Sequence, residues 1–368
     1  MKTSLKPWIN DLPDYVAGRT IEEIKRKYGL ASVNKLASNE NLFGPCAKVK
    51  ETLKECIDNI NYYPDSDTYE IRTAIADKSS ISKDNIIMGD GTDQVIEMIC
   101  DCFVDRQDNI VTGDPNFLIY EKSALISGGS AKKIPLLPDF TQDIQSILKA
   151  VDSNTKAIFI ASPHNPSGTM ISKKDFEYLL RSTGRSILIV MDEAYYEYMP
   201  PQKQLDTVSY ISDNPNLVVL RTFSKIYGLA GLRIGYGIAN TEIITGLNKI
   251  RLPFNVSSVA QKAACAALAD GGYILKIRDI ISGEKEKFYS AFKEAGIDYV
   301  ESFANFILIK TGEKSGDIVE ELLKNGFIVR PGVNLGLPGY IRVTMATPEI
   351  DDKFLKIFLE IYKKLYQG

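Results

Sequence analysis

The segment Thr222-Phe-Ser-Lys225-Ile-Tyr-Gly-Leu-Ala-Gly-Leu-Arg233 places one lysine and one arginine among small and apolar residues. Residues 217–220, just before it, form an apolar run that is typical of a buried strand. A lysine whose charge is disfavoured by burial is a better nucleophile, because the neutral amine attacks a carbonyl. Such a lysine can form a Schiff base with an aldehyde, and an arginine can grip a phosphate with its planar fork of donors. An aldehyde joined to a phosphate describes pyridoxal 5′-phosphate (PLP), so this segment predicts a PLP site.

The composition is that of an ordinary globular protein. The chain has 368 residues, which exceeds the usual span of one hydrophobic core, so we expect a large and a smaller domain. The net charge is −3, with no basic stripe for nucleic acid and no polybasic segment for a membrane surface. No apolar run approaches the ~20 residues that cross a bilayer, and the first ten residues lack the apolar core of a signal peptide.

Five thinly spread cysteines indicate reduced thiols in a cytoplasmic protein. His164 is the only histidine, which argues against His-based triads and His-ligated metals, and we predict no metal site.

Strand-like and helical patterns alternate through the middle of the chain. The predicted strands are 85–88, 109–111, 131–134, 156–160, 186–191 and 217–220, and helical patterns between them include 92–103, 117–127 and 173–181. This alternation predicts an α/β fold, with a mostly parallel sheet of about seven strands between layers of helices. A strand at 232–238 follows with no helix before it, so it could run antiparallel.

The pattern then changes towards a small α+β domain. Helices are predicted at 241–251, 257–269 and 273–295, followed by strands at 305–309, 327–329 and 341–344 and helices at 317–324 and 351–366. We expect three parts: an N-terminal arm (1–40) that packs on the small domain or on a partner, a large PLP-binding domain (41–265) and a small C-terminal domain (266–368).

Polar residues follow several predicted strands, and ligands of open α/β sheets bind beyond the carboxyl ends of the strands. Asp192 ends the run 186–191; it could hold the protonated pyridine nitrogen of PLP, or it could simply cap a helix. Asn165 lies in a rigid turn, Ser162-Pro-His-Asn-Pro-Ser-Gly168, and could bond the ring hydroxyl of PLP, or the turn could be a plain connection.

Four more residues or segments are candidates of the same kind. The glycine-rich stretch 89–93 begins a predicted helix, where free N–H groups could bind a phosphate, although most such starts are only capping turns. Phe117 could stack on a flat ring or belong to the core. Arg342, inside a strand pattern, could clamp a substrate carboxylate or face water at a sheet edge, and Arg330 is a second such cation.

Together these segments resemble the fold-type-I PLP-dependent aminotransferases, and the resemblance covers nearly the whole chain. It is closest to the histidinol-phosphate aminotransferase branch. The segments that carry it are 36–44, 62–65 (Tyr-Tyr-Pro-Asp), 89–93, the Asn165 turn, 192–195, 222–233, and the arginines at 330 and 342.

The resemblance implies a role for each matched residue. Lys225 would be the Schiff-base lysine that also shuttles a proton, and Asp192 would partner the ring nitrogen. Tyr63 would reach the phosphate in the neighbouring subunit, which implies a homodimer with shared sites. The other cofactor contacts would come from Gly91, Thr92, Asp93, Phe117, Asn165, Tyr195, Thr222, Ser224 and Arg233, with Asn165 and Tyr195 donating to the ring hydroxyl. Substrate contacts would come from Arg342, for the α-carboxylate, and from Arg330, Tyr15 and Asn39.

The implied reaction passes an amine from a small-molecule donor to a 2-oxo acid, most simply from histidinol phosphate to 2-oxoglutarate. An aromatic amino acid aminotransferase and a threonine-phosphate decarboxylase are the alternatives on the same scaffold. A PLP-sensing regulator would need a DNA-binding module, for which the ~35 residues before Asn39 leave no room. The sequence departs from the branch pattern at His164, where asparagine is common, at Phe117, where tyrosine is common, and in the loop 331–338.

Overall fold

This computed structural model describes residues 5–12 and 18–366 of the chain. The strands are β1 Asn34–Leu36, β2 Ile86–Gly89, β3 Asn109–Asp114, β4 Ser130–Pro135, β5 Thr155–Ala161, β6 Leu188–Asp192, β7 Leu217–Thr222, β8 Gly235–Ala239, β9 Tyr299–Val300, β10 Phe306–Lys310, β11 Phe327–Pro331 and β12 Tyr340–Thr344. The α-helices are α1 Ile21–Tyr28, α2 Ala47–Cys56, α3 Tyr69–Ser79, α4 Gly91–Phe103, α5 Leu118–Ile126, α6 Ile144–Lys149, α7 Lys173–Ser182, α8 Thr241–Ile250, α9 Ser258–Leu268, α10 Gly271–Ala295, α11 Ser315–Lys324 and α12 Pro348–Tyr366.

The larger sheet has seven strands in the order β2-β8-β7-β6-β5-β3-β4. Only β8 runs against the others, since it pairs antiparallel with both β2 and β7 while the remaining pairs are parallel. The predicted α/β class and the mostly parallel seven-stranded sheet are therefore confirmed. The carboxyl ends of six strands lie along one edge of this sheet, which is where ligands bind in such folds.

Burial on both faces explains the composition of the central strands. Every residue of β6, Leu-Ile-Val-Met-Asp, is buried, and β7 is buried except for Arg221. A parallel sheet covered by helices on both sides requires such continuous apolar runs, because neither face meets water. One charged residue, Asp192, ends β6 inside this apolar environment, where burial disfavours the ionised form of its carboxyl group.

A second sheet of five strands, in the order β1-β11-β12-β10-β9, forms the smaller unit. Its first strand comes from far upstream: β1 pairs parallel with β11, with Leu36 opposite Val329. Helix α1 packs on the same unit, because Ile24 is buried in a cluster with Leu323 and Ile328.

The segment before α1 contacts the larger unit. The indole nitrogen of Trp8 donates to the carbonyl oxygen of Ile126 at 3.0 Å, at the end of α5, and the Arg106 guanidinium lies 4.5 Å from the Trp8 ring. Across residues 5–12 and 18–366, no helix is both long and apolar enough to cross a membrane.

Candidate active site

A cavity of about 240 Å³ lies at the carboxyl edge of the larger sheet. It is formed by the segments that follow β3, β5, β6 and β7, together with the start of α4. Ten of the residues predicted from the sequence line it: Thr92, Asp93, Phe117, Asn165, Asp192, Tyr195, Thr222, Ser224, Lys225 and Arg233. The fold thus brings together residues that are up to 141 positions apart in the chain (92 to 233).

Asp192 is a buried carboxylate with two hydrogen-bond donors. The Tyr120 hydroxyl donates to its Oδ2 at 2.6 Å, and the Ala194 N–H donates to its Oδ1 at 3.0 Å. Burial raises the pKa of Asp192 to about 6, against the effect of these hydrogen bonds and of the Lys225 charge. Its exposed fraction is 4% and it forms no ion pair with a described residue. A cation bound in the cavity would therefore stabilise the ionised form of Asp192.

Lys225 follows β7 by three residues, in a bend with Phe223 and Ser224. Its Nζ lies 5.5 Å from the centre of the Tyr195 ring, so the ammonium or amine faces an aromatic wall of the cavity. The backbone around it is held by a turn in which the Gly228 N–H donates to the Lys225 carbonyl oxygen at 2.9 Å. This arrangement presents the lysine amine to a ligand while its main chain stays fixed.

The start of α4 and the segment around Arg233 form a narrow cup at one end of the cavity. Gly91 has φ +73°, and a Cβ there would lie 2.6 Å from Nη2 of Arg233. A Cβ at Gly235 would lie 2.6 Å from the backbone nitrogen of Thr92. Only glycine fits these positions, so the start of α4 lies close to Arg233, and its first N–H groups could bind one anion together with the guanidinium.

Arg233 also pairs with Asp93 across this cup, with Nη2 3.2 Å from Oδ2. Burial raises the pKa of Asp93, while the charges of Arg233 and Lys225 lower it. Arg233 has the left-handed backbone conformation, φ 51°, which turns its side chain back towards α4. The pair holds the guanidinium at the mouth of the cup.

Arg342 connects the two units of the protein. This residue lies in β12 of the smaller sheet, where its Nη1 donates to Oδ1 of Asn165 and its Nη2 donates to the Ala37 carbonyl oxygen at 2.9 Å. It is 5% exposed, its Nε has no hydrogen-bond partner among the described residues, and burial lowers its pKa to about 10. A buried guanidinium without a carboxylate is a site for an anion.

Four other predicted residues lie outside the cavity or beyond the described residues. Tyr63 is 82% exposed and stacks on Phe254, with ring centres 4.6 Å apart. Arg330 lies opposite Arg342 in the β11–β12 pair and lines a neighbouring cavity of about 430 Å³. Asn39 is buried beneath Tyr195, and its Nδ2 donates to the Tyr195 hydroxyl at 2.9 Å. Tyr15 lies outside the described residues.

Tyr120 is a cavity residue that the sequence reasoning missed. It lines the cavity, lies edge-on to Phe117 at 5.6 Å and stacks on Phe159 at 4.9 Å. Its position three residues after Phe117, on one face of the predicted helix, was the available signal.

His164, which departs from the branch pattern, is a buried structural residue. Its Nδ1 shares a hydrogen bond with Oγ of Ser167 at 2.7 Å. Burial lowers the pKa of His164 to about 4, so the ring is neutral at pH 7 and holds the turn that carries Asn165.

The donor set fits PLP. The buried carboxylate of Asp192, which has no ion-pair partner among the described residues, suits the pyridine nitrogen. The glycine-lined start of α4 with Arg233 suits a phosphate, and the Lys225 amine faces the same cavity and suits the aldehyde. The ring nitrogen and the phosphate of PLP thus each have a partner of opposite charge among these residues, and the aldehyde has an amine that can react with it.

The chain belongs to the family of class I and II aminotransferases, whose model matches residues 31–358. Among curated relatives it is 39% identical to a histidinol-phosphate aminotransferase of Moorella thermoacetica over 96% of this chain and 92% of that protein. It is also 39% identical to the histidinol-phosphate aminotransferase of Brevibacillus brevis, over 97% and 98% of the two chains. Among solved structures, the histidinol-phosphate aminotransferase of Sinorhizobium meliloti in complex with PLP has a TM-score of 0.90, with 27% identity and 99% of each chain covered.

Proposed function

We propose that this protein uses PLP to transfer the amine of histidinol phosphate to 2-oxoglutarate. The observation that carries the choice of substrate is the 39% identity, over nearly full length, to histidinol-phosphate aminotransferases. The observation that supports the chemistry is the grouping of Lys225, Asp192 and the glycine-lined cup around one cavity.

PLP, when bound, supplies a protonated ring that absorbs the electron pair released at the substrate carbon. The carboxylate of Asp192 would keep the proton on the ring nitrogen, and Tyr120 would hold that carboxylate in place. The Lys225 amine would bind the cofactor aldehyde, and once the substrate amine has replaced it there, it would carry the proton from the amine-bearing carbon of the substrate to the former aldehyde carbon of the cofactor. Phe117 would cover one face of the ring. The remaining contacts would come from Asn165 and Tyr195 to the ring hydroxyl and from Gly91, Thr92, Asp93, Thr222, Ser224 and Arg233 around the phosphate.

Both proposed substrates are anions, and Arg342 offers the Nε–H of a buried guanidinium, which has no hydrogen-bond partner within residues 5–12 and 18–366. In glutamate and 2-oxoglutarate the group beside the reacting carbon is a carboxylate, whereas histidinol phosphate carries a phosphate ester in that region. We infer that Arg342 binds the carboxylate of one substrate and lies near the phosphate of the other, with Arg330 as the second cation. Tyr15 and Asn39 remain proposed neighbours of the rest of the substrate.

Steady-state assays with matched donors test the substrate. We expect a kcat/KM for histidinol phosphate at least about a hundredfold above the values for phenylalanine and tyrosine, since their α-carboxylate would engage Arg342 alone, whereas the phosphate would engage both Arg342 and Arg330. An equal value for the aromatic amino acids would favour the aromatic aminotransferase. Release of carbon dioxide from threonine phosphate would favour the decarboxylase.

The lysine role has a separate test that needs no substrate. Lys225→Ala should lose the visible absorbance of lysine-bound PLP and nearly all turnover, because no other amine faces the cavity among the described residues. Lys173→Ala, on the exposed start of α7, is the control and should keep both. An unchanged spectrum in Lys225→Ala would remove the lysine assignment.

We further propose a homodimer in which Tyr63 reaches the neighbouring subunit's phosphate. Tyr63 and its ring partner Phe254 lie in two segments with several exposed apolar side chains, which is typical of an interface between subunits: Ile60 (66%), Tyr62 (69%), Leu252 (66%) and Phe254 (43%). The division into an arm (1–40), a large domain (41–265) and a small domain (266–368) is likewise proposed. The strands of the larger sheet lie between residues 86 and 239, and four strands of the smaller sheet lie between 299 and 344, which supports this division.

A cytoplasmic location is also part of the proposal. It is supported by the five cysteines, all of which have free thiols.

A further inference from the structure

Thr344, the last residue of β12, makes two hydrogen bonds to Asn39 with one hydroxyl group. Its Oγ1 accepts from the Asn39 backbone N–H at 3.0 Å and donates to Oδ1 of the Asn39 side chain at 3.1 Å. Both residues are 1% exposed. Asn39 has the left-handed conformation, φ 57°, and its carbonyl oxygen accepts from Nδ2 of Asn305 at 3.1 Å. Two residues of the smaller unit therefore fix the backbone and the side chain of Asn39.

The single proton of the Thr344 hydroxyl decides which way the Asn39 amide points. The hydroxyl already accepts from the backbone N–H, so its proton goes to an acceptor, and Oδ1 is that acceptor. The other end of the amide, Nδ2, then points at Tyr195 and donates to its hydroxyl at 2.9 Å. In the reversed amide, Tyr195 would have to donate its own proton to Oδ1.

We propose that Thr344 is a positioning residue that, through Asn39, keeps the phenolic proton of Tyr195 free for the ring oxygen of the cofactor. The inference rests on the proposed function, because it needs PLP beside Tyr195. With Thr344 as donor, Tyr195 accepts from Asn39 and donates into the cavity. Without that donor the amide can turn over, and the Tyr195 proton is then used within the protein.

The consequence is measurable in the bound cofactor. A hydrogen bond donated to the ring oxygen of the cofactor withdraws negative charge from that oxygen. Less negative charge then remains to stabilise a proton on the nitrogen through which Lys225 would bind the cofactor. Loss of the donor should therefore raise the pH midpoint at which the visible absorbance of bound PLP changes. The charged and titratable groups nearest Tyr195 stay the same in the variants below: Lys225, Arg342, Asp192, Tyr120 and Tyr198.

The experiment is a pH titration of the visible absorbance of the holoenzyme. Tyr195→Phe sets the reference, and we expect Thr344→Val to move the midpoint upward in the same direction, by about half to one pH unit. Thr344→Ser keeps the hydroxyl and should stay within about 0.2 pH units of the wild type. The double variant Tyr195→Phe/Thr344→Val should match Tyr195→Phe alone, because both changes remove the same hydrogen bond. Thr344→Ala removes the same hydroxyl with less bulk and replaces Thr344→Val if that protein does not fold.

The outcomes separate this inference from the proposed function. If Tyr195→Phe shifts the midpoint and neither Thr344→Val nor Thr344→Ala does, the inference is wrong and the function stands. Additive shifts in the double variant also overturn it, since Thr344 would then act without Tyr195. A wild-type protein without visible absorbance, or an unshifted Tyr195→Phe, would remove the proposed cofactor contact and the inference together.

Discussion

Asp192 shows at the scale of one residue how burial prepares the site for a cation. Its pKa is raised to about 6, from an ordinary value of 3.8, because the carboxylate is desolvated. Without cofactor, the folded chain therefore holds a proton between about pH 4 and 6 that the unfolded chain has released. The free energy of unfolding therefore falls as pH rises through this window, and above it the full cost of burying the ionised Asp192 is present.

We expect Asp192→Asn to remove this pH dependence in the cofactor-free protein. The difference in free energy of unfolding between pH 4 and pH 7 should shrink by about 1–3 kcal/mol relative to wild type, measured by urea titration at both values. Tyr120→Phe removes a hydrogen bond that lowers the Asp192 pKa, so it should enlarge the difference instead. Identical pH dependences in all three proteins would show that Asp192 is not the titrating group.

At the scale of elements, the contact between β8 and the start of α4 shapes the phosphate cup. A Cβ at Gly235 would lie 2.6 Å from the Thr92 nitrogen, so Gly235→Ala must push the helix start outward. We expect the Kd of PLP to rise at least about tenfold, because the N–H groups of the helix would no longer face the phosphate together. Gly246→Ala in α8 is the control, since no atom of the described part of the chain lies within 4 Å of that Cβ. Absorbance titration of the apoprotein with PLP measures both, and equal Kd values would contradict the proposed cup.

A buried ion pair ties the ends of β6 and β7 together behind the cavity. Nη2 of Arg221 lies 2.8 Å from Oε2 of Glu193, with side chains 12% and 3% exposed. These residues directly adjoin Thr222 and Asp192, so the pair fixes two strand ends that line the site.

Arg221→Met should destabilise the protein by about 3–5 kcal/mol, because it leaves the Glu193 carboxylate buried without a cation. Lys324→Met breaks the exposed pair with Glu321, where the side chains are 49% and 34% exposed, and should cost less than about 1 kcal/mol. Thermal or urea unfolding compares them. A similar loss of unfolding free energy in the two variants would mean that the buried Arg221–Glu193 pair stabilises the strand ends no more than an exposed pair does.

The same elements show how far sequence reasoning reaches. Strand interiors were predictable because continuous apolar runs mark strands buried on both faces, and the observed bounds differ from the predicted ones by a few residues at most. Strand β7 runs on to Thr222 because Arg221, a charged residue, is held inside the protein by Glu193. Helix α1 was not predicted; its buried residue Ile24 packs in a cluster with Leu323 and Ile328, about 300 residues downstream, a contact that no local pattern reports.

For the site, polar residues at the ends of buried strands were predictable because such positions meet at one edge of a sheet. Tyr120 was not predicted as a site residue, since a tyrosine in a helical pattern is usually only part of the hydrophobic core. The burial of Asn39 beneath Tyr195 depends on its left-handed backbone and on Thr344, 305 positions away, and no local pattern carries that information.

For the whole molecule, the position of Tyr63 decides whether one chain can form a complete site. Tyr63 lies on Phe254, outside the cavity that holds Lys225, so the proposed contact with phosphate must come from a second copy of the chain. Tyr63→Ala should lower activity about tenfold or more through loss of that hydrogen bond, and Lys225→Ala should nearly abolish it.

Mixing these two variants after reversible dissociation tests the shared site. In a mixed dimer one site receives both substitutions, while the other combines Lys225 from one subunit with Tyr63 of its partner and is intact. Random mixing of equal amounts makes half of the dimers mixed, so about a quarter of all sites should recover wild-type activity. If Tyr63 served the site of its own subunit, every site in the mixture would carry one substitution, and activity would stay at the average of the two variants. Recovery measured after remixing, with each variant remixed with itself as the control, therefore distinguishes a site shared between subunits from a site complete in one chain.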